Sequence, residues 1–298
     1  MILGIDIGAT KTRLGRLEGA RLAISRKIPT NPDPDRFLEE LRRLMEDFLG
    51  ADQDRIEAIG IGAPGPLNPD RGIFGRLPNL PDWEGFEFRD ALSSTCQVPA
   101  RIQNDANVAA LGEAIYGGGK GIRSIYYITI STGIGGGFVL DRRIVSGARD
   151  LTGELWTLPV LSFGQPDILL NSSSGPGIVR TARMLLEQGQ PSSLSSLESF
   201  DTADVFQQAE LGDSLCRRVM ENAARNMALA VVSVLVVVDP EIVLIGGGMA
   251  GNEKWLIDPI RETVAEIAHL EEHRRTPIRR AELWDEAVLY GAISLFDE

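Results

Sequence analysis

Ile2–Leu17 reads ILGIDIGATKTRLGRL, with apolar side chains alternating with small or polar ones on both sides of Gly8–Thr10. Period-two alternation broken by a glycine turn predicts two strands joined tightly. After the proline-rich TNPDPD segment, Phe37, Leu38, Leu41, Leu44, Met45, Phe48 and Leu49 recur at helical spacing, with Asp33 and Pro34 placed to start the helix. EAIGIGAPGP (Glu57–Pro66) reads as a strand entering a Gly/Pro loop, and RIQNDANVAALGEAIYG (Arg101–Gly117) as a strand end, a polar turn and a helix. At Ser124 the design restarts: SIYYITISTGIGGGFVLDRRIV is again strand, glycine turn, strand. Ser162–Ser174 reads as loop, Ile178–Gln188 as helix and the Ser-rich Pro191–Asp201 as an exposed stretch. A long helix is expected over Ser214–Val237, then the buried strand EIVLIG, a helix around Glu253–His269 and a last helix near Glu286–Phe296. Strands and helices alternating in both halves predict an α/β protein with mixed or parallel sheets.

The composition sets limits on partners. The chain has 298 residues, 43% apolar and 24% charged, with 32 glycines, enough for one large or two modest domains with a real core. Thirty Lys and Arg against 42 Asp and Glu give a net charge of -12, which repels a phosphate backbone and an anionic membrane. Any phosphate bound here needs local help, which backbone N–H groups of Gly-rich turns and a bridging metal ion can supply. Cys96 and Cys216 alone cannot build a disulfide framework or a cysteine zinc cage. MILGIDIGATK lacks the features of a signal peptide, and the longest apolar run, near Met227–Val238, is short of a membrane span. A soluble cytoplasmic protein that binds neither nucleic acid nor membrane is the expectation.

Three glycine-rich turns, Gly8–Thr10, Ser131–Gly137 and Gly246–Gly248, each follow an apolar strand directly. Such turns let backbone N–H groups approach a phosphate without a Cβ in the way, although each alone also serves as an ordinary tight turn. GGGKG at Gly117–Gly121 is not a P-loop, because Ala114 and Gly121 stand where that motif needs Gly and Ser or Thr, and it reads as a surface turn. NDAN (Asn104–Asn107) lies between a strand and an Ala-rich helix. One of its residues is expected to cap the helix, and a carboxylate between two amides at a strand's end also suits a base that takes a proton from a hydroxyl.

The order DIGATK, NDAN followed by AALGE, STGIGGG, GELW and VLIGGG resembles the ROK family of sugar kinases, within the actin-like ATPase superfold. The resemblance runs over nearly the whole chain and is weakest from Leu155 to Leu170. It implies a two-domain, ribonuclease H-like α/β fold with an interdomain active-site cleft. The smaller domain would span 1–117 plus the terminal helix at 286–298, and the larger 118–285. It implies that Asp6 helps hold the Mg2+ of Mg-ATP while Gly8, Thr10 and Lys11 form the first phosphate turn. Thr132 and Gly133 would form the second, and Gly246, Gly247 and Gly248 would approach the adenosine. Asp105 would be the general base, Asn104 would position the sugar, Gly65 and Asn79 would line its pocket, and Glu154 would bind hydroxyls near the anomeric end.

The chain departs from the family where the sugar is read. Most members continue past that glutamate to a Gly-His pair, a zinc loop with three cysteines and a second glutamate. Here Thr157 holds the histidine position, the second glutamate aligns with Leu170, and no Cys lies between Cys96 and Cys216. Structural zinc needs about four thiolate or imidazole ligands, so no zinc is expected. His269 and His273, beside Glu271, Glu272, Arg274 and Arg275, read as a solvated helix end. The resemblance therefore implies ATP-dependent phosphorylation of a hexose hydroxyl, with ATP and Mg2+ as its nucleotide and metal and a homodimer compatible with it. Two alternatives stay open: a weak or inactive sugar- or nucleotide-binding protein, and a kinase for another sugar such as an N-acetylhexosamine.

Overall fold

The computed structural model describes residues 1–298 apart from Ala20, Pro78 and Glu298. In chain order the elements are β1 (Ile2–Ile7), β2 (Lys11–Glu18), β3 (Arg21–Ile24), β4 (Ile28–Pro29), α1 (Pro34–Leu49), β5 (Ala58–Ala63), β6 (Leu67–Asn68), β7 (Ile73–Phe74), α2 (Phe88–Cys96), β8 (Ala100–Asn104) and α3 (Asp105–Ile115). There follow β9 (Ser124–Ile130), β10 (Ile134–Leu140), β11 (Arg143–Ile144), β12 (Pro159–Ser162), β13 (Gln165–Ile168), α4 (Leu169–Ser173), α5 (Gly175–Glu187), α6 (Thr202–Glu210) and α7 (Ser214–Val238). The chain ends with β14 (Ile242–Gly246), α8 (Ile257–Ile267), α9 (Glu271–Arg275), β15 (Ile278–Arg280) and α10 (Ala287–Ile293).

Two compact units result. The first comprises Met1–Arg123, Gly137–Thr152 and Leu283–Glu298, and the second Ser124–Gly136 and Gly153–Glu282. The segment Gly137–Thr152, placed by sequence in the larger domain, thus goes with the first unit. The cause is a close approach: a Cβ on Gly137 would lie 2.8 Å from Ala110 Cβ and 2.9 Å from Asn107 Cα, so β10 rests on the backbone of α3.

The first unit is built on a sheet ordered β3-β2-β1-β5-β8, with β4 paired to β2. Its central strands show how alternation becomes architecture. Leu3, Ile5 and Ile7 of β1 and Ile59, Ile61 and Ala63 of β5 join the core under α1, with Phe37, Leu41 and Leu44. The residues between them are Gly4, Asp6, Gly60 and Gly62, and on that side α10 lies directly on strand backbone. A Cβ at Gly60 would stand 1.7 Å from Ala292 O. Helix α1 begins where Asp33 accepts from Asp35 N and Arg36 N and where Pro34 takes the first turn. Phe37 of this helix packs tilted against Trp83 at a ring-centroid distance of 5.0 Å, and Trp83 stacks on Phe88 at 5.6 Å.

Gly117–Gly121 is a turn organised by Glu113, which is fully buried. Its Oε2 accepts from Gly118 N at 2.9 Å and its Oε1 from Leu283 N at 2.7 Å, which ties α3 to the segment before α10. Glu113→Ala leaves two part-buried donors without their acceptor, at about 1–3 kcal/mol each, so urea unfolding should show a loss of roughly 2–6 kcal/mol. Glu113→Gln, which keeps one acceptor oxygen, should lose about half of that.

In the second unit β9, β14 and β15 pair in parallel, with α7 in the core. Helix α7 is long and apolar enough to cross a membrane by length and composition, and half of its apolar window is buried inside the protein. The sequence placed Ser162–Ser174 in a loop, but the structure forms the hairpin β12–β13 and the short helix α4 there. Both turn residues adopt positive φ, Phe163 at 49° and Gly164 at 80°. This is the geometry of a two-residue hairpin turn, and a phenylalanine in it hides the usual Asn-Gly signal. The histidine reading also changes. His269 is exposed, whereas His273 is buried with Nε2 3.8 Å from Asp239 Oδ1, because α9 folds back onto the end of α7.

Candidate active site

In the first unit the site follows from strand register. β1, β5 and β8 run parallel as neighbours, Asp6 level with Gly62, Gly62 with Gln103 and Ala63 with Asn104. Their carboxyl ends therefore place Asp6, the loop holding Gly65 and the pair Asn104–Asp105 along one edge of the sheet. Asp6 and Asp105 stand on either side of β5, on the order of 10 Å apart given a strand spacing of about 4.8 Å. Ligands of open α/β sheets bind outside such carboxyl ends.

Asn104 is the helix cap that the polar turn called for. Its Oδ1 accepts from Ala106 N at 2.9 Å and Asn107 N at 3.4 Å, starting α3. A Cβ at Gly65 would lie 3.0 Å from Asn104 Nδ2, so the glycine brings the β5 loop onto the other end of the same amide. Asp105 opens α3, half-buried, with Oδ1 accepting from Ala106 N at 2.8 Å. Asn79 is exposed on the turn that the Leu77–Leu80 bridge closes.

The turn between β1 and β2 closes with Gly8 N donating to Lys11 O at 2.9 Å. Only glycine fits, since a Cβ there would stand 2.8 Å from that oxygen. Thr30, absent from the sequence reading, braces the turn: its Oγ1 donates to Gly8 O at 2.7 Å and its N–H to Thr10 O at 3.0 Å. Thr10 and Lys11 are exposed on it. Asp6 is ion-paired, with Arg13 Nε 2.9 Å from Oδ2. Burial pushes the Asp6 carboxyl up, against the Arg13 guanidinium, which pulls it down.

The second unit brings together the two other glycine turns. Gly246 is level with Thr129 across the β9–β14 pair, and Met249 N donates to Ile130 O at 3.1 Å. A Cβ on Gly247 would meet Ile130 O at 2.5 Å, so the turns pack backbone to backbone, and the φ of 85° there again favours glycine. Around Gly133 and Gly248 the space is open, with nothing within 4 Å of an added Cβ, and Thr132 is exposed. Gly175 N donates to Ser131 O at 2.8 Å, which sets the start of α5 beside the second turn. That helix end offers a favourable dipole for an anion, although its first N–H groups are taken by Ser131 O and by the side chain and carbonyl of Ser174. No residue type announced it, because its place depends on how α5 packs.

Glu154 is half-buried and engaged locally, its Oε2 accepting from Trp156 Nε1 and its carbonyl from Thr157 Oγ1. Burial, with the Glu154 charge adding to it, pushes the Tyr126 hydroxyl up. Leu170, in α4, offers no polar group. Among the described residues no group of three His, Cys, Asp or Glu side chains is placed to hold a metal ion.

Asp6 fits a magnesium ion held through phosphates and water. Arg13 takes Oδ2, no hydrogen bond reaches Oδ1 from the described residues, and a carboxylate oxygen is a donor that magnesium accepts.

Comparison with known proteins places these features in a family. The ROK family model matches residues 2–298. A glucokinase of Thermotoga maritima is 28% identical over 313 aligned residues, spanning 100% of this chain and 97% of that protein. A ROK hexokinase from Thermus thermophilus superposes with a TM-score of 0.84 at 33% identity, covering 98% of this chain and 96% of its own. A ROK glucokinase from Streptomyces griseus, solved with glucose and AMPPNP, gives a TM-score of 0.78 at 26% identity, covering 99% of this chain and 98% of its own.

Proposed function

The chain belongs to the ROK family and has its actin-like ATPase fold, and on that premise we propose that it is a sugar kinase transferring the γ-phosphoryl group of ATP to a hexose hydroxyl. The observation that carries this reading is the row formed by Asp6, Gly65 and Asn104–Asp105 at the carboxyl ends of β1, β5 and β8. Asp105 takes the proton of the attacking hydroxyl, while Asn104, its oxygen committed to the cap, presents its amide N–H to the sugar beside Gly65. Gly65 and Asn79 line the sugar pocket, and Glu154 binds its far hydroxyls. Gly8, Thr10 and Lys11 hold phosphate oxygens, as do Thr132 and Gly133, and Gly246–Gly248 lie against the nucleoside. Magnesium bound with the nucleotide supplies charge neutralisation on the phosphates, with Asp6 as its protein contact. Phosphoryl transfer asks mainly for such positioning, so this set suffices.

The reading extends to a cytoplasmic enzyme of carbohydrate metabolism that works without zinc. The second reading, a protein that binds sugar or nucleotide without useful turnover, draws on one feature: Leu170 and Thr157 stand where the family keeps a glutamate and a histidine. A site lacking these partners cannot reject an analogue by leaving them unpaired, and that is the usual source of strong discrimination. The enzyme is therefore expected to separate glucose, mannose, 2-deoxyglucose, N-acetylglucosamine and N-acetylmannosamine weakly, or to favour one of the N-acetylated sugars. Comparison of kcat/KM across the five tests this. A glucose preference above about a thousandfold, ~4 kcal/mol, would contradict it, and no turnover with any of them would favour the second reading.

A further inference from the structure

Arg13, the ion-pair partner of Asp6, lies next to the proposed phosphate site and has no role in the proposed transfer itself. Antiparallel pairing sets it opposite Asp6, Cα to Cα, so the two side chains leave the same face of the sheet. This is the face where Gly4, Gly60 and Gly62 let α10 settle on the strands. Arg13 is 8% exposed, which is unusual for an arginine, and it is held at both ends. Its Nε donates to Asp6 Oδ2 at 2.9 Å and its Nη2 to the carbonyl of Asp285, just before α10. A guanidinium fixed in this way has little freedom to leave, and it pins one oxygen of the carboxylate while Oδ1 stays open.

We propose that Arg13 is the positioning residue of the magnesium contact: it fixes the rotamer of Asp6, anchored through Asp285, so that Oδ1 faces the metal's water shell. This rests on the reading of Asp6 given above. Arg13 acts through Asp6 alone, so its effect belongs to magnesium-dependent binding and not to the nucleotide itself. A residue that only held α10 in place would lower stability without altering the metal requirement.

Calorimetric titration of ADP, without magnesium and over a range of magnesium concentrations, separates these roles without recourse to turnover. Arg13→Leu is expected to raise the magnesium concentration for half-maximal ADP affinity about tenfold, with magnesium-free ADP binding changed less than about twofold. Arg13→Gln, which can still donate an N–H to Oδ2, should recover most of the loss. Should the leucine variant fail to fold, the decisive comparison is Arg13→Gln in the native and Asp6→Asn backgrounds. A shift of about two- to threefold in the first that vanishes in the second is expected, since a coupled pair is not additive. Magnesium-dependent binding that Arg13→Leu leaves unchanged or strengthens, or an equal Arg13→Gln effect in both backgrounds, would overturn this role alone. No magnesium-dependent nucleotide binding in the native protein would overturn the reading of the site along with it.

Discussion

Asp105→Asn is expected to lower kcat for sugar phosphorylation by about 10²–10⁴-fold, the range that a positioned base contributes. The amide keeps the shape of the carboxylate and its contact to Ala106 N, which Oδ1 makes at 2.8 Å, so α3 should start as before. What the amide lacks is a lone pair basic enough to take the hydroxyl proton. Sugar and nucleotide affinities, measured by titration, should therefore stay within about fivefold, placing the loss in kcat rather than in binding. Turnover near that of the native enzyme would remove Asp105 as the base. A parallel collapse of both affinities would make its role structural.

The largest effect on stability should come from Gly60→Ala. The new Cβ would stand 1.7 Å from Ala292 O and 2.6 Å from its carbonyl carbon, and these are backbone atoms that no rotamer change can move. Helix α10 would have to lift from β5 or the strand would have to bend. Overpacking usually costs about 1–3 kcal/mol, and a backbone clash this close belongs at or beyond the top of that range. We expect a loss of about 3 kcal/mol or more by urea unfolding, or no soluble protein. Gly248→Ala, where nothing lies within 4 Å of the added carbon, should unfold like the native chain. Similar stability of the two variants would contradict the packing described for α10.

The same glycines show how far the sequence could be read. LGIDI and AIGIGA announce strands by their period, and β1 and β5 occupy those stretches. The alternation also separates an apolar face from a glycine face, but the helix filling the second face lies some 230 residues away from β5 in sequence. Local pattern carries no information about that partner. The cap at Asn104 was legible because cap chemistry is local, and so were the glycine turns. Arg13 was not, since in a one-dimensional pattern it is only a polar residue of a strand, and its pairing with Asp6 appears when the β1–β2 register is known. Thr30, Gly175 and the buried His273 escaped for the same reason, each owing its environment to a remote element. The β12–β13 hairpin was missed locally, because a positive-φ phenylalanine resembles no turn signal.

The most direct test of the account is to incubate the protein with Mg-ATP and each of a panel of hexoses and N-acetylhexosamines, and to follow ADP release while identifying the phosphorus product by NMR. The account predicts that at least one sugar stimulates ADP release and that a sugar phosphate monoester forms in one-to-one amount with ADP. Binding of sugar and nucleotide without any sugar-dependent ADP, or release of inorganic phosphate alone, would contradict it.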